Sequence, residues 1–568
     1  MNVYHQIIAD LFSRVSGLSV DEAASLIEFP PQEDQGERAI PVFRFSKAEK
    51  KSPNDLAQAW AETINQTKLP KEISRVEALG GYVNFHFDTE LFSKDLLQQI
   101  FKNRESFGRQ TIQDKPTVVV EYSSPNIAKP FSIGHLRSTN LGASLSRIFE
   151  FRGYNVVRIN HLGDWGTQFG KLTVAYQKWG NDEQLKKDPI QGLFKLYVKF
   201  HDEEANNPAL TTEARETFSK LERGDAITKE IWERFRLLTL AELEGLYAKL
   251  GVTFDHYWGE SFYIPHLPEL LKKLNEKNLS TESAGALIVD LKDFNLGVAL
   301  LRKGDESSLY LTRDLAAAIY RHTHLHFSKM LYIVGAEQSL HFQQFFKILE
   351  LLGHDWVKNC EHIAFGQISF GDEKMSTRKG NVVFLTEVLE KAKEYALKIV
   401  QEKNPTMEDK DEIAEKIALG AILFADISAK RIKNVKFSWE DVLSFEGETG
   451  PYLQYALVRS KSLIRKFDAK IELISDFSIF KEKEEHSLVR SLSQFPYALE
   501  RAERDREPFA LGKYLLDLTK SFNRFYNSHR ILDSEPELKK ARMLLVQSTA
   551  EILSTGLKLL GIPTLDKM

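Results

Sequence analysis

The stretch Val118-Val-Val-Glu-Tyr-Ser-Ser-Pro-Asn-Ile-Ala-Lys-Pro-Phe-Ser-Ile-Gly-His-Leu-Arg137 decides the fold. It opens on a short β-branched run ending in a carboxylate, Glu121, which reads as a buried strand. A helix-forming stretch follows from Leu136 to Phe151. Between them lies Gly134-His135, a small residue beside a histidine at a helix N-terminus. There, phosphates can come close to backbone N–H groups and the positive end of the helix dipole. About 240 residues downstream, Lys374-Met-Ser-Thr-Arg-Lys-Gly380 supplies three cations, Lys374, Arg378 and Lys379, in a loop able to close over a triphosphate. Either segment alone is a common turn. Together, in this order, they read as two halves of one ATP site and point to adenylate chemistry.

Working outward, short apolar runs at Val156 to Ile159, Met330 to Val334 and His362 to Ile368 alternate with helical patterns. That alternation predicts a parallel sheet with right-handed crossovers and a ligand site beyond the strand C-termini. The expected class is α/β, with a Rossmann-type catalytic domain over 113–410. An insertion at about 181–311, charged and helical to 250 and β-rich from 284, is expected to hold its own small core. Residues 1–112 read as a separate α+β domain, with helical patterns at 5–14 and 54–66 and strand alternation in Tyr82-Val-Asn-Phe-His-Phe87. From 411 to 568 the periodicity is helical, and heptad-like spacing at Tyr452 to Phe467 and Leu511 to Tyr526 predicts a bundle.

Composition bounds the class. The 568 residues are 42% hydrophobic and 27% charged, with a net charge of −4. No run of 18 apolar residues supports a membrane span. Met1 to Leu18 carries Asp10 and one arginine and reads as a first helix rather than a targeting peptide. One cysteine, Cys360, leaves no disulfide framework and no thiolate zinc cluster, so a cytoplasmic protein without zinc is expected. Basic clusters at 430–436 and 459–466 keep a nucleic-acid partner open despite the acidic total.

The two signatures resemble the His-x-Gly-His and Lys-Met-Ser-Lys-Ser motifs of class I aminoacyl-tRNA synthetases. Glu121-Tyr-Ser-Ser-Pro-Asn126, Gly134-His-Leu-Arg-Ser138, Gly163-Asp-Trp-Gly-Thr-Gln168 and Thr449-Gly-Pro-Tyr-Leu-Gln-Tyr455 resemble the arginyl-tRNA synthetases in particular. The chain departs from the class pattern at Ser132, where a histidine is usual, and at Arg378, where a lysine is usual. Lys129 stands close enough in sequence to compensate. The resemblance implies activation of L-arginine with ATP and transfer to tRNA(Arg), with tRNA bound before arginine is activated. His135, Lys129, Lys374, Arg378 and Lys379 are the catalytic candidates, since each can donate to phosphate oxygens. Ser132, Gly134, His135, Met375 and Ser376 would hold ATP, with Mg²⁺ carried mainly by the nucleotide and water.

A guanidinium has five donors in a plane and no acceptor, so its pocket needs carboxylates and neutral acceptors. By resemblance, Tyr310 and Asp314 would hold it, while Glu121, Asn126 and Gln338 would orient the amino-acid end and the pocket floor; the alternatives are an ordinary strand-end carboxylate for Glu121 and a helix cap for Asp314. The four-residue spacing of Tyr310 and Asp314 puts both on one face if that turn is helical. Asp164 and Trp165 read as buttresses of the sheet, Gln168 as a lining residue and His161 as a satisfied histidine at a strand end, with a hydrogen bonder behind the pocket as its alternative. For tRNA, the candidates are Tyr82 and Asn84 on one strand face, with a merely structural sheet face as the equal alternative, then Tyr452, Tyr455, Arg459, Tyr526 and Met568 in the helical domain, where aromatics beside a cation suit unpaired bases. The spacing of Tyr455 from Tyr452 leaves it inward-facing as an alternative. A monomer is expected. The rival readings are a class I synthetase for cysteine or glutamate, a non-catalytic RNA-binding paralogue, and a small-molecule ligase that uses the same ATP motifs.

Overall fold

A computed structural model of the chain describes residues 3–30, 32–302, 310–370, 384–438 and 442–568. Two units emerge: Met1–Phe107 with Arg459–Pro496 and Leu516–Leu553, and Gly108–Val458 with Tyr497–Leu515 and Ser554–Met568.

In the first unit the helices Val3–Ser16 and Pro53–Asn65 follow the expected apolar periodicity. The second starts sharply because the Ser52 side chain accepts the Asp55 N–H, and Pro53 sits where no N–H partner is needed. Strands β1 (Arg38–Pro41), β2 (Ile73–Leu79) and β3 (Tyr82–Phe87) form an antiparallel sheet in the order β1-β3-β2. Ile8, Phe12, Trp60, Val83 and Phe85 close the core beneath it. The expectation of an open face carrying Tyr82 and Asn84 needs correcting. Asn84 on the central strand is flanked by Ala39 and Glu77 and is only 2% exposed. Tyr82 remains partly accessible, with its ring edge-on to the half-exposed Phe43 at 5.3 Å. In the helical part of this unit, Arg490 donates to the Pro30 carbonyl at 3.0 Å, and Arg542 pairs with the buried Glu485 at 2.8 Å.

In the second unit β4 (Thr117–Glu121) leads into the helix Ile133–Phe151 and then β5 (Asn155–Ile159). Four helices, from Asp182–Lys187 to Ala226–Leu250, precede a small antiparallel sheet. That sheet comprises β6 (Thr281–Ser283), β7 (Ala286–Asp290) and β8 (Val298–Arg302). The helix Tyr310–Leu325, β9 (Lys329–Tyr332), the helix Ser339–Leu351 and β10 (Cys360–His362) complete the alternation. The main sheet is wholly parallel in the order β10-β9-β4-β5. Val118, Val119 and Val120 are fully buried, as a central parallel strand covered on both faces requires. Strand order reverses at β4, so the crevice lies beyond its C-terminal end, where Glu121 stands.

Two expectations shift. The helical insertion has its own cluster, including Leu193, Phe200, Leu210 and Phe235. The β-rich piece does not: Val289, Leu291, Ala299 and Leu301 share one core with Val119, Met330, Leu315 and Phe345. A three-stranded sheet buries too little apolar surface alone, so it borrows the domain core. The run from His362 to Ile368 is also two elements. β11 (Ile368–Phe370) pairs in parallel with β12 (Val435–Phe437), a strand in a region expected to be entirely helical. Gly366 N–H donates to the Arg431 carbonyl at 2.9 Å and Gln367 N–H to Asn434 Oδ1 at 2.8 Å, which draws the chain away from β9.

The helix Ile133–Phe151 is pressed onto the strand it follows. A Cβ placed on Gly142 would meet the Tyr122 ring at 2.2 Å, so only glycine permits this approach. Its other side meets the helix Lys410–Ile427 through a buried polar junction. Asn140 Nδ2 donates to Asp426 Oδ2 at 2.9 Å, the Arg137 guanidinium lies 3.8 Å from Asp426, and Arg137 also donates to the Arg431 carbonyl at 2.9 Å. Burial pushes the Asp426 carboxyl up, and the nearby Arg137 only partly offsets it. Asp426→Ala should therefore strip Arg137 of its buried counter-charge and cost about 3–5 kcal/mol in urea denaturation. Asp426→Asn, which keeps an acceptor for Asn140, should cost clearly less.

Candidate active site

The first signature closes on itself. Ser132 stands at the N-cap of the helix Ile133–Phe151, and its backbone N–H donates to Nδ1 of His135 at 3.0 Å, with its Oγ also 3.0 Å away. A ring nitrogen that accepts carries no proton, so the Nε2 of a neutral His135 bears the hydrogen. Burial, and then the charge of Lys129, push the His135 pKa down to about 4. His135 is thus a neutral donor and not a cation. Gly134 is exposed, and a Cβ built there would meet only Ser132 Oγ at 3.5 Å, which leaves the helix end open to a phosphate. The ammonium of Lys129 lies 5.0 Å from the Tyr197 ring centre. Ala128, in the left-handed region at φ +61°, belongs to the helical insertion's cluster and anchors this turn.

The second signature lies outside the described residues, and with it Lys374, Met375, Ser376, Arg378 and Lys379. Just beyond it, Phe384 forms an antiparallel bridge with Ser132, and Leu385 N–H donates to the Phe131 carbonyl at 3.0 Å. The chain downstream of the second signature is therefore fastened to the first.

The other wall is built on charge. Glu121, at the end of β4, forms a buried ion pair with Arg321, which is 1% exposed. Arg321 also donates to the Tyr263 hydroxyl at 3.0 Å and lies 3.1 Å from His161 Nδ1. Glu121 is thus committed to the protein, and it shapes the pocket floor through Arg321. Tyr310 and Asp314 do fall on one helix, Tyr310–Leu325. Asp314 Oδ2 accepts from His341 Nε2 at 2.7 Å, and His161 Nε2 faces Oδ1 at 3.5 Å. Burial opposes ionisation of Asp314, but these two imidazoles overcome it and hold the carboxyl well below its usual range. In both histidines, burial opposes the charged form and the Asp314 carboxylate outweighs it, so their pKa values are raised.

Sequence reading missed Glu260. It is 5% exposed, stands 3.4 Å from the Arg313 guanidinium, and its Oε2 accepts no hydrogen bond among the described residues. Burial, moderated by Arg313, pushes it up to about 7. Arg313 in turn lies over the Tyr310 ring, 5.0 Å from its centre. The available signal was a lone carboxylate within Tyr257-Trp-Gly-Glu-Ser-Phe-Tyr263, since an acid among aromatics is a buried acid.

Asp164 proves to be a buttress, although of the Glu260 turn and not of the sheet. Its two oxygens accept from the backbone N–H and Oγ of Ser261 at 2.8 and 2.7 Å. Trp165 packs edge-on to Trp232 at 5.6 Å. Gln168 is partly buried, and its Nε2 has no partner among the described residues. His161 stands at the strand end with Nδ1 held by the Trp258 carbonyl at 3.0 Å, while its buried Nε2 makes no hydrogen bond among the described residues and faces Asp314, so it is not the fully satisfied histidine expected. Asn126 bridges to Gly163, where a Cβ would fall 2.1 Å from the Asn126 side-chain oxygen. Gln338 is exposed at the start of the helix Ser339–Leu351. After β4 the chain turns through Ser123 and Ser124, both at positive φ (+70° and +48°). That turn is fixed by Ser138 Oγ, which accepts the Ser123 N–H at 3.0 Å, and by Tyr247, whose hydroxyl lies 2.7 Å from Ser123 Oγ.

The candidates for RNA contact are dispersed. In the second unit Tyr452 is half-buried and Tyr455 is 40% exposed, so Tyr455 faces outward, against the inward alternative; Met568 is half-buried. In the first unit the Arg459 guanidinium lies over the Tyr526 ring at 4.6 Å and donates to Asn523 Oδ1 at 2.8 Å.

Comparison with known proteins matches three consecutive family descriptions: an arginyl tRNA synthetase N-terminal domain over residues 2–87, the catalytic domain of class I (R) tRNA synthetases over 96–439, and a DALR anticodon binding domain over 453–568. The chain is 45% identical to an arginine–tRNA ligase of Clostridium perfringens over 567 residues, covering 100% of each. It is 44% identical to that of Halothermothrix orenii over 562 residues, covering 99% of each. The fold superposes on Thermus thermophilus arginyl-tRNA synthetase with a TM-score of 0.83 at 26% identity, covering 100% of this chain and 99% of that one.

The neutral state of His135 can be tested by titration. A folded pKa below the ordinary 6.5 means that the folded protein resists protonation there. The stability this contributes is full above pH 6.5 and is lost as pH falls towards 4. Histidine NMR, assigned with His135→Gln, should show an Nε2–H tautomer that titrates near 4; a midpoint near 6.5 refutes it.

Proposed function

The chain belongs to the arginyl-tRNA synthetases, and on that premise we infer that it is an arginine–tRNA ligase that forms arginyl-adenylate from L-arginine and ATP and then charges tRNA(Arg). The observation that carries this reading is the pairing of opposites around the end of β4. An open helix N-terminus with a neutral donor histidine stands on one side, and the half-buried Asp314 with the buried Glu260 on the other.

In activation a substrate carboxylate oxygen bonds to the α-phosphorus while the bond to the bridging oxygen breaks and pyrophosphate leaves. The nucleophile is already anionic, so catalysis is positioning and charge stabilisation, with no general base. His135 Nε2–H and Lys129 donate to phosphate oxygens from the first signature, beside Ser132 and Gly134. Lys374, Arg378 and Lys379, with Met375 and Ser376, serve from the second. Among the described residues no group of three or more histidine, cysteine, aspartate or glutamate side chains is placed to hold a metal ion. Mg²⁺, carried mainly by the nucleotide and water, would add charge neutralisation at the phosphates.

Asp314, Glu260 and Tyr310 receive the guanidinium, while Glu121, through Arg321, sets the floor. Asn126 and Gln338 orient the amino-acid end. A lysine ammonium has no planar fork of donors, so it would leave buried acceptors unmet, and the pocket rejects it. The second step is attack on the acyl carbon by the 2′-hydroxyl of the terminal adenosine, with AMP leaving.

The domain division is 1–112 for the tRNA elbow, 113–410 for catalysis with its insertion, and 411–568 for the anticodon. The order of the matched family descriptions supports this division. Tyr82, Tyr452, Tyr455, Arg459, Tyr526 and Met568 remain the tRNA candidates. Asn84 acts behind Tyr82, because its side chain is buried. On this reading the protein works as a cytoplasmic monomer, in keeping with its single cysteine and the lack of a disulfide framework in its sequence.

Pyrophosphate exchange tests the order of events. Exchange should depend on arginine and occur only with tRNA(Arg) present; exchange with another amino acid, or none with tRNA, refutes the reading. Asp314→Asn should raise the arginine KM at least tenfold and leave the ATP KM within about twofold, since a charge-assisted hydrogen bond to a buried guanidinium is lost.

A further inference from the structure

Asp314 can serve a planar guanidinium only if its own carboxylate plane is fixed. The second side-chain torsion of aspartate is broad, so burial alone does not set that plane. The structure supplies a restraint from outside the helix that carries Asp314. His341, in the first turn of the helix Ser339–Leu351, places Nε2 2.7 Å from Oδ2. The His341 ring is itself held between Phe342 and Phe345, with centres at 5.6 and 6.4 Å. His161, just beyond β5, faces the other oxygen. An ionised carboxylate has about four acceptor positions, so these contacts leave room for two more hydrogen bonds.

We propose that His341 is a positioning residue for arginine recognition: its Nε2–H locks the Asp314 carboxylate so that the remaining lone pairs meet the guanidinium fork in plane. This rests on the reading of Asp314 as a guanidinium ligand. The restraint matters for a fork and little for a point charge, because bidentate pairing needs coplanarity. Its loss should therefore appear in arginine binding and not in the nucleotide half of the site.

The test is steady-state aminoacylation by the full-length chain at saturating ATP and tRNA(Arg), with melting temperatures recorded alongside. His341→Leu should raise the arginine KM about tenfold or more, the loss expected for a hydrogen bond to a charged group. kcat and the ATP KM should stay within about twofold. His341→Gln, whose amide nitrogen can reach the same oxygen, should recover most of the loss, whereas His341→Asn, too short to reach, should not. The double variant His341→Leu with Asp314→Asn should be no worse than Asp314→Asn alone. An arginine KM unmoved by His341→Leu and His341→Asn, when Asp314→Asn raises it, overturns the positioning role and spares the pocket. Additive losses in the double variant do the same. An arginine KM unmoved by Asp314→Asn overturns both. If His341→Leu melts early, His341→Asn and His341→Gln decide the question through their difference.

Discussion

One buried guanidinium organises the catalytic unit. Arg321 is almost completely enclosed, and a charge in that position is tolerated only with a counter-charge and with its donors met. Glu121 supplies the first, the Tyr263 hydroxyl accepts from the guanidinium for the second, and His161 packs beside it at 3.1 Å. These partners come from three places: the end of the central strand, the turn that carries Glu260, and the end of β5. Neutralising Arg321 therefore brings together the elements that bear Glu260, His161 and Asp314. Replacing either member of the pair alone would leave a charge stranded in apolar surroundings. The pocket and the core it rests on thus share one electrostatic requirement.

The two ends of the site treat histidine in opposite ways. His135, beside Lys129, is held neutral. His341 and His161, beside Asp314, are drawn towards the charged form. The substrate carries its guanidinium at one end and its carboxylate at the other, and the carboxylate must approach an anionic nucleotide. On the proposed reading, a neutral donor near phosphate and an anionic well at the far end would fix the direction in which such a molecule can lie. The same residue type serves both ends because its ionisation follows its neighbours.

Local signals in the sequence gave the elements that depend on local chemistry. The valine run of β4 and the helix after Gly134-His135 follow from period and composition, while Tyr310 and Asp314 came from the family resemblance and share a face because their turn is helical. What remained hidden depends on contacts between distant segments. Glu260 sits in a turn without periodicity, and its meaning comes from Arg313 and from burial. His341 reads as one polar position on an amphipathic helix until Asp314 arrives from another element. Asn84 alternates as a surface residue should, yet neighbouring strands and packing cover it. β12 is three residues long, too brief to show a period.

The close contact of Gly142 with Tyr122 gives the helix a fulcrum. From Gly142 to the helix start at Ile133 the arm is about 13 Å at 1.5 Å per residue. A rocking of about four degrees there would swing the Gly134-His135 end by about 1 Å, an error that can slow a positioned reaction about a hundredfold. On the proposed reading, a missing methyl group in the middle of a helix would thus set the angular tolerance with which the nucleotide is aimed.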